Sequence, residues 1–134
     1  MVRGSCLCGG IRFEAAKVPL IVLCHCSMCR KSNGAAFDCG AMVPAADFTM
    51  TQGADLVERY ESSPGFHRTF CRVCGARAPG KAEGDLYFVP AGLLDDDPGV
   101  KPALHIFVGS KAPWWDIDDD LPQFDQWPPG YGPD

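Results

Sequence analysis

Cys24-His25-Cys26-Ser27-Met28-Cys29, read together with Cys6-Leu7-Cys8 and Cys71-Arg72-Val73-Cys74-Gly75, gathers seven of the eight cysteines into three tight clusters. Such spacing is how proteins build tetrahedral thiolate sites for zinc. At the end of a strand the period of two points the Cys24 and Cys26 sulfurs to one face, and Cys29, three residues on in a helical turn, curls back to join them. His25 then points the other way, which makes it a packing or supporting residue rather than a ligand. Cys71-x-x-Cys74-Gly75 reads as a zinc knuckle that needs two more sulfurs. Cys6 and Cys8 supply them if the N-terminal hairpin packs beside the Phe66–Cys71 segment; on geometry alone they could instead share a metal with Cys24 and Cys26. Four thiolates close one site and three remain, and a metal with three protein ligands keeps a position free for water or substrate. The alternative is that all seven thiolates serve structural sites, with His25 or water completing the second.

Working outward, 134 residues are enough for one domain spanning 1–134 with a core beyond its metal clips. The start, Met1-Val2-Arg3-Gly4, lacks a charged segment followed by an apolar one, and the longest apolar run, 18–24, is too short to span a bilayer. The expectation is a soluble, cytoplasmic protein with no membrane partner, and in a reducing compartment the cysteines are ligands rather than disulfides. The net charge of −5 is uneven: residues 1–84 carry ten basic against seven acidic side chains, and residues 85–134 two against ten. With the acidic runs Asp95-Asp96-Asp97 and Asp118-Asp119-Asp120, this argues against nucleic acid as a partner. The basic excess lies beside the cysteines, where Arg30, Lys31, Arg68, Arg72, Arg77 and Lys81 can offset thiolate charge or meet an anionic small molecule.

Fifteen Gly and twelve Pro cut the chain into short segments, most of which read as strands. About eight are expected: 10–15, 20–24, 37–43, 47–51, 56–61, 66–71, 86–91 and 104–108. The continuous apolar run 20–24 fits a strand buried on both faces. One short helix, from Ser27 to Ser32, should stop at Asn33-Gly34. The tail beyond Pro113, with Trp114, Trp115, Phe124 and Trp127, is expected to be an ordered wrap over the sheet, because those rings would be costly left in water. Cys39 shares a face with Phe37 and Ala41 and reads as a buried core thiol, with a redox or substrate-contacting role as the alternative. His67 and His105 alternate with apolar neighbours and read as packing or edge residues. The Asp runs lack a regular oxygen-ligand spacing and read as solvated loops.

The chain resembles the glutathione-dependent formaldehyde-activating (GFA) family, which includes centromere-protein-V-type domains. The likeness rests on Gly4-Ser5-Cys6-Leu7-Cys8-Gly9-Gly10-Ile11, on Cys24 through Lys31 with Gly34 and Phe37, and on Arg68 through Gly75. It continues through 91–96, 105–108, 110–114 and 121–125. One departure is Ala76-Arg77-Ala78-Pro79-Gly80, less apolar than the strand expected there. The resemblance implies a mainly β, β-tent (Mss4-like) fold of several small coiled antiparallel sheets stapled by zinc, with one short helix and an irregular C-terminal wrap. It implies a structural zinc on Cys6, Cys8, Cys71 and Cys74 and a labile, catalytic zinc on Cys24, Cys26 and Cys29. The implied activity is that of a carbon–sulfur lyase acting on a thiol–aldehyde adduct, joining glutathione to formaldehyde or a similar small substrate through a metal-held thiolate. Arg30, Lys31 and Arg68 are the candidates for holding the thiol's carboxylates. The rival is a non-catalytic β-tent zinc module that binds or chaperones other proteins; no protein partner is assigned. A methionine sulfoxide reductase with Cys39 as nucleophile is the third reading.

Overall fold

The computed structural model describes residues 1–82 and 84–131. Among them are ten strands in three small sheets, one α-helix and four short 3-10 turns. β1 (Val2–Ser5), β2 (Arg12–Ala15) and β5 (Phe48–Gln52) form an antiparallel sheet in the order β1-β2-β5. The largest sheet holds β3 (Leu20–Cys24), β4 (Asp38–Pro44), β8 (Gly80–Lys81), β9 (Leu86–Pro90) and β10 (Pro102–Ile106), in the order β10-β3-β4-β9-β8. Only the β10–β3 pair in it is parallel. β6 (Val57–Ser63) and β7 (Phe66–Cys71) make a separate hairpin. No helix among the described residues is long and apolar enough to cross a membrane.

Alternation explains how the layers meet. Val2, Phe13, Ala15 and Phe48 from the three-stranded sheet pack against Ile21, Ala41, Val43 and Val89 of the five-stranded one in the main core. Phe48 stacks on both Phe13 and Tyr87, with ring centroids 5.6 and 4.2 Å apart. A second, smaller core of Cys6, Ile11, Cys71 and Ala78 surrounds the four-cysteine cluster, with Leu56 and Val57 of the hairpin region against it.

Several elements differ from the sequence expectation. β3 is buried on one face only: Ile21 and Leu23 enter the core, whereas Leu20, Val22 and Cys24 are half-buried, because the sheet's other face lines an open groove. The last strand lies earlier than 104–108, over Pro102–Ile106. It ends because Phe107 takes a left-handed conformation, φ 56°, and a short 3-10 turn follows over Val108–Ser110. β1 had no alternation to announce it, since Gly4 brings no side chain and sits against the Phe13 ring. The weakly apolar 76–80 segment makes an isolated bridge from Arg77 to Phe70 and only then joins the large sheet as two-residue β8.

The tail is an ordered wrap. His105 N–H donates to Pro122 O, Phe124 N–H to His105 O and Val108 N–H to Phe124 O. Trp127 meets Phe107 edge to face and Trp115 meets Phe37, but both stay 41% exposed and Trp114 68%. Covering the sheet edge therefore did not require every ring to leave water. Nor are the Asp runs purely solvated loops: Asp96 accepts from Arg3 at 2.9 Å, Asp95 from Ser5 Oγ at 2.8 Å, and Asp119 bonds His105.

Candidate metal centres and the groove beside them

The four-cysteine cluster is assembled by two turns facing each other. Cys6 N–H donates to Ile11 O, and the N–H groups of Ile11 and Gly10 point at Cys6 Sγ and Cys8 Sγ at 3.3 and 3.4 Å. The opposite turn is closed by Cys71 N–H to Ala76 O and Gly75 N–H to Cys71 O. Cys6 Sγ lies 3.6 Å from Cys8 Sγ, which lies 3.9 Å from Cys71 Sγ, and with Cys74 Sγ all four are within 4.8 Å of one another. A tetrahedral zinc with ordinary zinc–sulfur bonds separates its sulfurs by about 3.8 Å, so this donor set fits zinc. The hairpin-to-knuckle pairing, one of two that sequence geometry allowed, is the one the fold adopts.

The three-cysteine cluster sits where β3 runs into the helix α1 (Ser27–Asn33). Cys24, Cys26 and Cys29 Sγ also lie within 4.8 Å of one another, with no fourth His, Cys or carboxylate completing the group among the described residues. Cys26 is the helix N-cap, its Sγ accepting from Cys29 N–H at 3.2 Å. At the other end Gly34 is left-handed, as the Asn33-Gly34 stop required, and Asn33 Nδ2 donates to Cys29 O. The thiols share protons unequally. Cys26 is driven well below the thiol range by hydrogen bonds from Cys24 and Cys29, then by the Cys29 N–H and the Arg68 guanidinium, while Cys24 is driven up.

Cations stand next to these sulfurs. Arg68 of β7 directs Nη1 at Cys29 Sγ, 3.6 Å away. Arg77 Nη1 lies 3.7 Å from Asp38 Oδ2 and donates to Asn33 Oδ1 at 3.2 Å. Burial raises the Asp38 carboxyl, and Arg77 opposes that rise. Of the three cations expected to meet a substrate, Arg68 is brought to the cluster. Lys31 lines a shallow depression of about 350 Å³ shared with Arg68 and Tyr60, and the Arg30 Nε is buried with no partner among the described residues. Asp38 escaped the sequence reading.

His25 is fully buried and does point away from the sulfurs' shared face, as expected, but it does more than pack. Its Nε2 lies 2.8 Å from His105 Nδ1, and His105 Nε2 lies 3.0 Å from Asp119 Oδ2. Because a carboxylate accepts, His105 donates through Nε2, accepts through Nδ1, and His25 donates. Burial first, then His105 and Lys111, lower His25 to about 4, which keeps it neutral. His105 was read as a packing or edge residue; it is the buried middle of this relay. Cys39 is half-buried against the main core, where burial raises its thiol, consistent with a packing role. His67 lies on the exposed hairpin, 3.6 Å from Glu61.

From the three sulfurs an open groove of about 1610 Å³ runs between the five-stranded sheet, the β6–β7 hairpin and the tail. Fold and sites together define a mainly β protein of small sheets with two thiolate clusters, one of four and one of three cysteines, both fit for zinc. The sequence profile of the family "Glutathione-dependent formaldehyde-activating enzyme" matches residues 1–110, and the chain belongs to that family, whose fold is Mss4-like. It is similar to a protein of Halomonas elongata that bears the family's name as a provisional designation, 28% identical over 134 positions covering 88% of this chain and 82% of that one. It also resembles the crystal structure of a Rhodobacter sphaeroides protein, with a TM-score of 0.59 and 24% identity over 75% of this chain and 91% of the other, a likeness of fold.

Proposed function

We propose that the protein is a zinc-dependent carbon–sulfur lyase-type enzyme that makes and breaks the adduct of a thiol with an aldehyde. Glutathione and formaldehyde, or a similar small aldehyde, are the substrates that the family's name suggests. The observation that carries this reading is the contrast between the clusters: four sulfurs gather at one site, while three sulfurs border a groove with no fourth ligand among the described residues, so a metal held there would keep a position for substrate. Cys6, Cys8, Cys71 and Cys74 would hold the structural zinc and Cys24, Cys26 and Cys29 the working one. A zinc ion held by the three cysteines supplies the Lewis acidity that keeps an incoming thiol deprotonated at neutral pH. The remaining work falls to the chain. Three cysteine thiolates holding a divalent ion would carry one net negative charge and an incoming thiolate would add another, and Arg68, beside Cys29, is placed to offset that charge. Arg68 and Lys31 also offer donors to the thiol's carboxylates. In the reaction the sulfur–carbon bond forms as the carbonyl π bond opens, and the thiol proton ends on the aldehyde oxygen.

The test follows ¹³C-formaldehyde and glutathione by NMR, comparing the protein with Cys26→Ser. Turnover in the variant should fall to the uncatalysed rate, with zinc content dropping toward one per chain and the circular dichroism retained. Unchanged turnover in Cys26→Ser would overturn the assignment. The rival reading, a non-catalytic binding module, draws support from the exposed Trp114 and Tyr131 of the tail; it expects two equally tight zincs and no rate above background.

A further inference from the structure

The groove beside the three sulfurs is far larger, and far less polar, than a one-carbon aldehyde requires. Strand register puts Leu20 opposite Met42, Val22 opposite Gly40, Met42 opposite Phe88 and Leu104 opposite Val22. These residues take the face that the core does not, since Ile21, Leu23, Ala41, Val43 and Val89 fill the other. Gly40 makes the floor continuous: a Cβ there would stand 2.0 Å from the Phe88 ring, which occupies the space instead. The floor leads to Cys24 on the same strand face, with Phe66 of the hairpin and Phe124 and Trp127 of the tail as walls. At about 1610 Å³ the groove, open along its length, has room for a tripeptide thiol together with a carbonyl body larger than one carbon. A tripeptide thiol is polar, so it would leave this floor uncovered, and an open apolar face beside a reactive site marks where an apolar ligand binds. Charged groups line the same groove away from that floor: Arg68, Arg77 and Asp38 near the sulfurs, and Arg59 and Lys81 further along.

We propose that the carbonyl half of the adduct is a medium-chain aliphatic or aromatic aldehyde whose body lies on the floor formed by Leu20, Val22, Met42, Phe88 and Leu104. The thiol's carboxylates meet the cations. This rests on the thiol–aldehyde reading above. The balance is unchanged by the larger group: the sulfur–carbon bond forms, the carbonyl π bond opens, and the thiol proton moves to the carbonyl oxygen without any oxidant or reductant.

The experiment uses the zinc-containing protein in two arms. In the first, kcat/KM for adduct formation from glutathione is compared for formaldehyde, butanal, hexanal and benzaldehyde, each above its uncatalysed rate. Values should climb with chain length, by up to about fourfold per methylene group buried, and the hexanal-to-formaldehyde ratio should fall several-fold in Val22→Thr and in Leu104→Gln. In the second, calorimetry measures binding of S-methylglutathione and S-hexylglutathione, which do not react; the hexyl compound should bind at least tenfold more tightly. Formaldehyde turnover with a flat or falling chain-length series overturns this inference and leaves the proposed function standing. Absence of turnover with every aldehyde overturns the proposed function and the aldehyde as occupant with it, even where tight S-hexylglutathione binding shows that the floor takes an apolar chain. Equal binding of the two analogues overturns the inference, and concentration-dependent dimerisation in the same samples would then assign the face to a second copy of the chain.

Discussion

His25 lies between Cys24 and Cys26 of the three-cysteine cluster yet faces the protein's interior, and its role follows from hydrogen-bond direction alone. Asp119 fixes the His105 tautomer, His105 fixes that of His25, and the backbone N–H of His25 is held by Ile106 O at 2.9 Å. The turn carrying Cys24 and Cys26 is thereby anchored to β10 and to the tail. Because burial keeps His25 at about 4 in the folded chain against an ordinary value near 6.5, the unfolded chain binds more protons between those values. Stability should therefore be fully present above pH ~6.5 and decline as pH falls toward ~4. Urea titrations across that window should show a shallower decline in His25→Gln than in the unaltered chain. Asp119→Ala, which leaves His105 Nε2 without its acceptor, should cost about 1 kcal/mol because water reaches the exposed Asp119 side. The three cysteine clusters were legible in the sequence because the spacing within each is local; which of them share a site was not, since Cys8 and Cys71 are 63 residues apart and the assignment of four to one site and three to the other came only from the family resemblance. The relay was not legible either, since His105 looks like any alternating strand residue and Asp119 like one member of a charged run.

At the scale of elements, α1 has seven residues and survives by its caps. Cys26 accepts at the front, Asn33 donates at the back, and Gly34 turns the chain out at φ 63° with open space around it. Gly34→Ala should destabilise the protein by about 1 kcal/mol, the cost of holding a Cβ in a left-handed conformation, as read from the urea midpoint. A shift near zero would mean that the helix end relaxes freely. Gly40→Ala should act through a different channel, displacing the Phe88 ring and narrowing the groove, so it should weaken S-hexylglutathione binding more than it lowers the urea midpoint. Helix and strand positions were mostly legible because Gly and Pro mark the breaks. The both-faces reading of β3 failed because half-buried Leu20 and Val22 are as apolar as core residues, and composition does not say whether an apolar face meets protein or a cleft.

At the scale of the whole molecule, the four-cysteine site joins positions 63 residues apart, Cys8 to Cys71, and pins the hairpin region to the first sheet. Metal affinity available only to the folded chain is folding energy, of order 10 kcal/mol for structural zinc. Mild chelation should thus remove the metal of the three-cysteine site first, with little change in melting temperature, whereas stripping the second should abolish cooperative unfolding. Zinc content measured alongside calorimetric melting checks this, and loss of the fold together with the first metal would contradict it. Cys71→Ser should behave as the fully stripped protein does. Sheet order was the least legible property, because the parallel β10–β3 pairing and the tail's path depend on long-range closure that no local pattern encodes.

The tail's path along β10 has one more consequence. Pro122, His105 and Phe124 exchange backbone hydrogen bonds on the side of β10 that β3 leaves bare, and the opposite margin of the sheet is the two-residue β8. Among the described residues neither border of the five-stranded sheet offers a long unpaired row of amides and carbonyls. A chain whose central strands are this apolar would otherwise present a template for stacking against its own copies, and the acidic wrap removes that hazard while adding like-charge repulsion.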